Sequence, residues 1–407
     1  MKNKYLIILI LLIISSLLTG CFLFPPHNLA EWTVMVYLDA DNDLESFGIK
    51  DINEMELVGS TSQVNILVQI DRIPYNVLAS IYQGHLDDFS NSDWTTTRRY
   101  YITKDVDPIQ INSTLLADLG ELNMGDPQTL IDFASWAITN YPAKKYLLVI
   151  WNHGGGFRDS SSPTKDLAWD YTDSRDKITM PELEDALLAI SSQAGRKLDI
   201  LGMDACLMAM TEVAYQVKDF AEIMVASQEK TPADGWPYDT ILGELVTQPL
   251  LPKEELATQI VDKCVLSYPF YNVTFSATDL SQMDTLAGQL SDLALAVMSD
   301  YFTPHNQYIQ CGEQSQYFED RDFVDLFDLC QQLLIHSNSG PVKSIATSIQ
   351  QTLNYARIKS FNNGGALKSS KGLSIYFPWY FVYSNYYNFT NFAQDTFWDE
   401  MLLHLGL

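Results

Sequence analysis

A histidine and a cysteine each follow a short apolar run, and together they could perform nucleophilic chemistry. His153 comes soon after the run 146–151, and Cys206 comes soon after the run 198–203. A thiolate is a strong nucleophile, and a neighbouring imidazole can accept and return its proton. The sequence therefore predicts a Cys–His pair, provided that the fold brings the two side chains together.

The two apolar runs have the length and composition of strands buried on both faces of a parallel sheet. Because parallel strands end at one edge of a sheet, His153 and Cys206 are predicted to face each other there. Helix-forming residues follow Cys206, and a helix N-terminus would favour its thiolate. The backbone amides of Gly154 and Cys206 are candidates to bind an oxyanion, since glycines leave room beside the histidine.

Either residue alone would be ordinary. A single histidine after a strand is usually a hydrogen-bonded structural residue, and a single buried cysteine is usually a small apolar one. The two residues at two predicted strand ends favour catalysis over structure.

Strands and helices alternate along the first part of the chain, which predicts an α/β fold with a mostly parallel central sheet. Residues 32–39 and 64–71 read as strands around a helix at 47–58. Shorter paired strands are expected at 79–82 and 98–102, and a long exposed loop at 158–177. Beyond about residue 243 helices dominate, and strands at 272–278 and 372–377 are expected to extend the same sheet.

The N-terminus has the pattern of a secretory signal. Lys2 and Lys4 precede an apolar run, which ends in Leu18-Thr19-Gly20-Cys21. This order is typical of a signal peptide, and its last four residues resemble the bacterial lipobox, in which the cysteine is lipidated. We therefore divide the chain into a signal peptide at 1–20, a tether at 21–31, a catalytic core at 32–245 and an extension at 246–407. An uncleaved membrane anchor is the alternative, although the run is short for a membrane span.

The chain is strongly acidic, with 51 Asp and Glu against 25 Lys and Arg and a formal net charge of -26. Such a surface repels nucleic acid, so no nucleic-acid partner is expected. Beyond Cys21 and Cys206, three cysteines remain, and one disulfide among Cys264, Cys311 and Cys330 is left open. No cysteine pair has zinc-site spacing, and no metal site is predicted.

Several motifs together closely resemble the clostripain family of cysteine peptidases, a branch of the clan that contains caspases, legumains and gingipains. They are Asn-His-Gly-Gly-Gly at 152–156, Asp-x-Cys-Leu-Met at 204–208, Ser-Gln-Glu at 227–229, Gly-Trp-Pro-Tyr at 235–238 and the segments 34–38, 41–45 and 372–378. The resemblance implies a caspase-like α/β/α sandwich. It also implies that Cys206 is the nucleophile and His153 the general acid/base.

The same resemblance implies endopeptidase cleavage after Arg or Lys. Asp204 matches an acidic residue of the pocket for the basic side chain, and Asp234 matches a second, weaker position. A carboxylate there would pair with a cation. Family members often cleave themselves between the histidine and the cysteine, and Lys165, Arg175 and Lys177 are candidate sites here.

Some family members require calcium, so calcium is an expected possibility, although the sequence requires no cofactor. The acidic segment 39–45 resembles the start of a calcium loop, but Leu44 and Lys50 occupy positions where an EF-hand needs Gly and Glu. The protein is expected to be monomeric, extracytoplasmic and lipid-anchored to a bacterial membrane, and to act on proteins or peptides with basic residues.

Two rival functions stay open at the level of sequence. A non-catalytic surface lipoprotein of the same fold could bind a peptide or glycan. A peptidase of the same clan could instead cleave after Asp or Asn, but a carboxylate at Asp204 would repel an acidic side chain.

Overall fold

A nine-stranded sheet crosses the molecule in the computed structural model, which describes residues 29–81, 89–92, 94–157 and 167–407. The strand order is β12-β10-β9-β8-β5-β1-β2-β3-β4. These strands are β1 Ala30–Ala40, β2 Val64–Arg72, β3 Arg98–Tyr101, β4 Thr114–Asp118, β5 Ala143–Trp151, β8 Leu198–Asp204, β9 Ala221–Ala226, β10 Thr274–Asp279 and β12 Arg357–Asn362. The five central strands, from β9 to β2, are mutually parallel, and both sides of the sheet are extended by antiparallel strands.

The sheet is covered on both faces, because the side chains of its central strands alternate between two hydrophobic cores. In β1, Met35 and Tyr37 belong to one core, whereas Val34, Val36 and Leu38 belong to the other. Strands of this kind read as continuous apolar runs. The result is the α/β/α sandwich that the sequence predicts.

Helices form the two outer layers, and one layer contains more helices than the other. The layer over Val34 and Val36 contains Glu45–Glu56, Tyr238–Thr247 and Lys253–Ser267. The helices whose buried residues join the other core are Pro127–Asn140, Met180–Ala194, Thr211–Val217, Met283–Met298, His305–Gln314, Leu326–His336, Gly340–Ala356, Asn391–Asp395 and Trp398–Leu405.

Helix starts follow the local sequence closely. Asp126 caps the helix at 127–140 by accepting a hydrogen bond from the Gln128 amide at 2.8 Å. Thr179 and Glu182 form a capping box at the start of 180–194. Such caps satisfy amides that the first helical turn leaves unpaired, which is why these starts are readable from sequence.

The expected pair of short strands is partly wrong. Residues 75–81 form a helix, so the described part of the predicted strand at 79–82 is not a strand. The segment 98–101 is a strand, but it pairs with β2 and with β4, which the sequence analysis missed. Most of β4 is exposed and carries little apolar alternation, so its signal was weak.

The C-terminal part contributes two strands to the sheet, as expected in number, and the predicted strand at 272–278 is confirmed as β10. β10 pairs with β9, and β12 pairs with β10. The predicted strand at 372–377 instead contains β13, Ser374–Tyr376, which pairs with β11, Phe323–Asp325, in a separate two-stranded sheet. A short apolar run predicts a buried strand but not its partner, so the pattern alone could not assign this strand to a sheet.

Part of the predicted loop at 158–177 is also ordered. Residues 167–178 form a hairpin from β6, Leu167–Asp170, and β7, Asp176–Ile178. Among the residues that the structure describes, no helix combines the length and apolar character needed to cross a bilayer.

Candidate active site

The ends of β5 and β8 place His153 and Cys206 at one edge of the sheet. Trp151 and Asp204 are register partners at the C-terminal ends of these neighbouring parallel strands. The amide of Asn152 donates to the carbonyl of Asp204 at 3.3 Å. His153 and Cys206 each lie two residues beyond a register partner, so the topology brings them to the same rim.

Both side chains line one open cavity of about 380 Å³. Gly154 and Asp204 also line it, and the segments 205–207 and 230–233 form much of its wall. A second cavity of about 490 Å³ lies nearby, between residues 314–319 and 366–369, but it contacts neither the imidazole nor the thiol. The cavity lined by His153 and Cys206 is therefore the candidate active site.

Gly154 lies in very close contact with the loop that carries the cysteine. A Cβ added at Gly154 would lie 2.4 Å from the Cys206 carbonyl oxygen and 2.9 Å from the Cys206 nitrogen. Only glycine allows this approach without displacing backbone. The absence of a side chain thus fixes the spacing of the two loops that carry His153 and Cys206.

The thiol of Cys206 is not at a helix N-terminus, which corrects the expectation from sequence. The next helix begins at Thr211, and Leu207 adopts a φ of 62°, which turns the chain away from a helix. Burial raises the pKa of Cys206 to about 11, although the amide of Thr231 donates to Sγ at 3.3 Å. Near neutral pH the free thiol is therefore protonated and needs a base to become a nucleophile.

The imidazole of His153 is held by a carboxylate that the sequence analysis did not assign. His153 Nε2 lies 2.8 Å from Asp43 Oδ1, and the Tyr171 hydroxyl donates to the same oxygen at 3.2 Å. Burial acts to raise the pKa of Asp43, but the hydrogen bonds and charge of its neighbours outweigh it and lower that pKa. An anionic Asp43 holds a proton on Nε2 and leaves Nδ1 as the basic nitrogen.

Asp43 could have been found from its position. It follows β1, which neighbours β5 in the sheet, so its loop emerges beside the loop of His153. Because Asp43 lies in the acidic segment 39–45, the sequence analysis compared it with a calcium loop.

Asp204 is a buried carboxylate on the cavity wall. Its Oδ2 accepts hydrogen bonds from the Trp236 amide at 2.9 Å and the Tyr238 hydroxyl at 3.1 Å. Burial raises the pKa of Asp204 to about 7. Behind it lies Asp51, a fully buried acid that accepts a hydrogen bond from Trp151 Nε1 at 2.7 Å and was not recognised from sequence.

The other predicted site residues occupy varied positions. Asp234 is about half exposed and forms an ion pair with Lys50, and it is not among the residues that line the cavity. Arg175 is exposed in the turn between β6 and β7, and Lys177 lies within β7. Lys165 and Cys21 lie outside the described residues.

The described cysteines, Cys206, Cys264, Cys311 and Cys330, are all free thiols, so the disulfide left open by the sequence is not formed in this structure.

A cluster of three acidic side chains has the spacing of possible metal ligands. Asp41, Asp71 and Asp170 lie close together, and all three are buried.

Comparison with known proteins shows the family of the chain. Residues 36–404 match the family model described as Peptidase_C11, clostripain family. The chain is 27% identical to clostripain of Hathewaya histolytica over an alignment of 426 positions, gaps included, which covers 89% of this chain and 78% of the relative.

Two solved structures have a similar fold. One is a secreted C11 cysteine protease from Bacteroides thetaiotaomicron in complex with an irreversible peptide inhibitor, with a TM-score of 0.66 at 20% identity. The match covers 91% of this chain and 100% of the other. The second is an inactive zymogen C11 protease from Parabacteroides distasonis, with a TM-score of 0.65 at 19% identity and coverages of 90% and 98%.

Proposed function

The chain belongs to the clostripain family and is a cysteine peptidase, and we propose that Cys206 and His153 form its catalytic dyad. The observation that carries this proposal is their placement on one cavity, each two residues beyond register-paired strand ends. The family match also favours a peptidase over a non-catalytic binding lipoprotein.

In the proposed reaction, the Cys206 thiol gives its proton to an acceptor while sulfur bonds to the scissile carbonyl carbon. His153 Nδ1 is the proposed acceptor, because Asp43 engages Nε2. The carbonyl oxygen becomes an oxyanion, which the amides of Gly154 and Cys206 would bind. When the C–N bond breaks, the imidazolium protonates the leaving amine, and water then hydrolyses the thioester.

We further propose that Asp204 selects Arg or Lys before the cut. Its carboxyl lies in the cavity wall, where a guanidinium or ammonium would meet little competing water. Asp234 is a weaker candidate, because a substrate would have to displace Lys50 from it. An acidic substrate side chain would meet the charge of Asp204, which argues against cleavage after Asp.

Fluorogenic peptides that differ only at the residue before the cut test these proposals. We expect hydrolysis after Arg or Lys, little after Asp or Asn, and a loss of at least about a thousandfold in kcat for Cys206→Ala and His153→Ala. His305→Ala, at an exposed histidine, is the matched control. Full activity of Cys206→Ala would refute the dyad, whereas equal cleavage after Asp would refute only the specificity.

Self-cleavage between the histidine and the cysteine is proposed at Lys165, Arg175 or Lys177. Arg175 is the better placed of the two described sites, because it lies in an exposed turn. Lys177 is part of β7, and its ammonium lies 5.2 Å from the centre of the Trp169 ring. A strand must leave its partner before it can enter a protease cleft.

Mass spectrometry of purified protein is the measurement for self-cleavage. Wild type should give two fragments with a boundary after one of these residues, and Cys206→Ala should stay intact. The same fragments in both proteins would point to another protease.

We propose that the protein is held outside the cytoplasm by a lipid on Cys21. The support is the sequence pattern at residues 18–21. Metabolic labelling with an alkyne fatty acid should mark the wild-type protein and not Cys21→Ser, and labelling of both would refute the anchor.

A further inference from the structure

A small uncharged cavity lies at the end of the loop that carries His153. Its volume is about 230 Å³, and we call it the Phe389 pocket. Gly156 and Phe157 form one wall, residues 178–181 form a second, and residues 386–390 contribute the third. None of the nine described residues that line it is acidic or basic, although the chain has a net charge of -26. The pocket therefore suits an apolar group.

The two threonine hydroxyls of the Phe389 pocket are engaged within the protein. The Thr179 hydroxyl donates to Glu182 at 2.7 Å in a capping box. The Thr390 hydroxyl donates to the Tyr387 carbonyl at 2.8 Å and accepts from the Ala393 amide at 3.2 Å. Because these groups already have partners, contact with the apolar walls must supply most of the free energy of binding.

The pocket has a packed floor and an open rim. The Phe157 side chain is only 6% exposed, and its ring packs edge to face against those of Tyr376 and Tyr387, each at a centroid distance of 5.0 Å. At the rim, Tyr386 is 45% exposed and Phe389 is 60% exposed. An apolar group that entered the pocket would remove these aromatic surfaces from water.

The size of the pocket favours one side chain over a separate small molecule. Pockets for drug-sized ligands have volumes of about 300–1,000 Å³, which is more than this pocket offers. The segment 158–166, which directly follows Phe157 but lies outside the described residues, contains no large apolar residue. A large apolar side chain of a bound polypeptide matches both the size and the character of the pocket.

One loop connects this pocket to the proposed dyad. His153 and Gly154 line the catalytic cavity, whereas Gly156 and Phe157 line the Phe389 pocket. Consecutive Cα atoms are about 3.8 Å apart, so the Cα atoms of Gly154 and Phe157 are at most about 11 Å apart. An extended substrate advances about 3.3 Å per residue and covers this distance in about three or four residues.

The proposed reaction determines which part of the substrate passes His153. The acyl part becomes bonded to Cys206, and its basic side chain would lie against Asp204. The imidazolium gives its proton to the leaving amine, so the polypeptide that begins with this amine would lie on the side of His153. The loop of His153 continues from there to Phe157, at the floor of the pocket.

We propose that the Phe389 pocket binds a large apolar side chain of the substrate, such as Leu or Phe, at the second, third or fourth position after the cut. This inference rests on the proposed function, because the dyad defines which side of the substrate leaves past His153. The bound side chain holds the leaving segment while its amine is protonated. Cleavage then depends on a basic residue before the cut and on an apolar residue after it.

Internally quenched peptides of the leaving side test this specificity. All share one sequence, with Arg before the cut and Ser after it, except that Leu, Phe, Ser or Asp stands at the second, third or fourth position after the cut. At one of these positions we expect kcat/KM to be about tenfold higher with Leu or Phe than with Ser, and lowest with Asp. Equal values at all three positions would overturn the proposal.

Variants at the exposed rim connect the preference to the pocket. Phe389→Ser should reduce the ratio of kcat/KM for the Leu peptide over the Ser peptide to about one, and Phe389→Asp should favour Lys at the same position. Phe302→Ser is the matched control, because it removes a phenylalanine that is 81% exposed and does not line the pocket. It should keep the wild-type ratio.

A ratio compares two substrates of one protein, so partial loss of folded protein does not change it. The wild-type ratio in Phe389→Ser would show that the preference arises elsewhere and would overturn the proposal.

Binding to the full Cys206→Ala chain separates the pocket from the dyad. The probes are fluorescent peptides with the sequence of the leaving segment and a free N-terminal amine. We expect Kd to be about tenfold lower with Leu than with Ser at the preferred position, and Phe389→Ser should abolish the difference. This preference in a wild-type chain that hydrolyses nothing would refute the dyad and keep the pocket.

Normal hydrolysis with equal Kd values would refute the pocket and keep the dyad. Sedimentation tests the remaining occupant. Self-association that Phe389→Ser abolishes, without any preference among the peptides, would assign the pocket to a second copy of the chain and overturn the proposal.

Discussion

At the scale of single residues, the site holds a protonated thiol, which is the proposed nucleophile, and a histidine that contacts a carboxylate. Burial raises the pKa of the Cys206 thiol to about 11, so the free protein does not store a thiolate. Asp43 contacts Nε2 of His153, so Nδ1 is the ring nitrogen available for the proposed proton transfer. The proposed reaction would therefore depend on how well the imidazole is oriented.

Replacement of Asp43 by Asn is predicted to slow the reaction without weakening substrate binding. Asn keeps the shape but removes the negative charge that supports the imidazolium as it forms, so kcat should fall about 10- to 100-fold. KM should change less than about twofold. Asp43→Glu should recover part of the loss, and an unchanged kcat would show that Asp43 does not position His153.

Asp204 is predicted to make the preference for basic substrates depend on pH. Its pKa of about 7 means that the carboxyl is neutral at lower pH and cannot attract a cation. The ratio of kcat/KM for an Arg substrate to that for an uncharged analogue should fall several-fold between pH 8 and pH 6. A pH-independent ratio would contradict the role of Asp204, and Asp204→Asn is the reference.

The Asp204 carboxyl should also make the stability of the fold depend on pH. Rising pH should strengthen the preference for basic substrates but lower the stability. The pKa of Asp204 is raised above the usual value of 3.8, so its stabilising contribution is full below about pH 4 and is lost as pH rises towards 7. Asp204→Asn should therefore be more heat-stable than wild type at pH 8, while the two proteins should differ less near pH 5.

At the scale of secondary structure elements, the site is a product of strand order. β5 and β8 are adjacent and parallel, so residues equally far beyond their ends meet at one rim. The loops after these strands carry the histidine and the cysteine, and Gly154 permits their close contact.

Gly154→Ala is predicted to separate these loops. Its Cβ would lie 2.4 Å from the Cys206 carbonyl oxygen, which real contacts do not allow. We expect kcat/KM to fall at least about 100-fold and the free energy of unfolding to fall by about 1–3 kcal/mol. Gly288→Ala, in a helix with no atom within 4 Å of the added Cβ, should keep full activity and equal or higher stability.

At the scale of the whole molecule, the two parts of the chain share one framework. β10 pairs with β9. The Gln228 side chain donates from Nε2 to Asp325 Oδ2 at 3.0 Å, and its Oε1 accepts from the Gly372 amide at 2.9 Å. The backbone of Tyr376 donates to the buried Glu212 at 2.9 Å. Residues 246–407 therefore cover the β9 edge of the sheet and supply partners for buried polar groups of residues 32–245.

A fragment of residues 32–245 is therefore predicted not to fold alone. Removing the rest of the chain exposes the edge of β9 and leaves Gln228 and Glu212 without their partners. The fragment should be aggregated or lack a cooperative thermal transition, and co-expression with residues 246–407 should restore soluble protein. A soluble, cooperatively melting fragment would show that the core is independent.

Patterns along the chain were enough to predict the central buried strands, several helix starts, the Cys–His candidates and the resemblance to a family. These features are local, because they depend on apolar runs, capping residues and short motifs. The folded chain was needed to show that Asp43 contacts His153, that Asp234 pairs with Lys50, and that Asp41, Asp71 and Asp170 lie close together. Each of these contacts joins residues far apart in the chain, and many acidic residues offer equivalent partners. The raised pKa of Cys206 has the same cause, since burial is set by the packing of distant segments and not by the neighbouring residues.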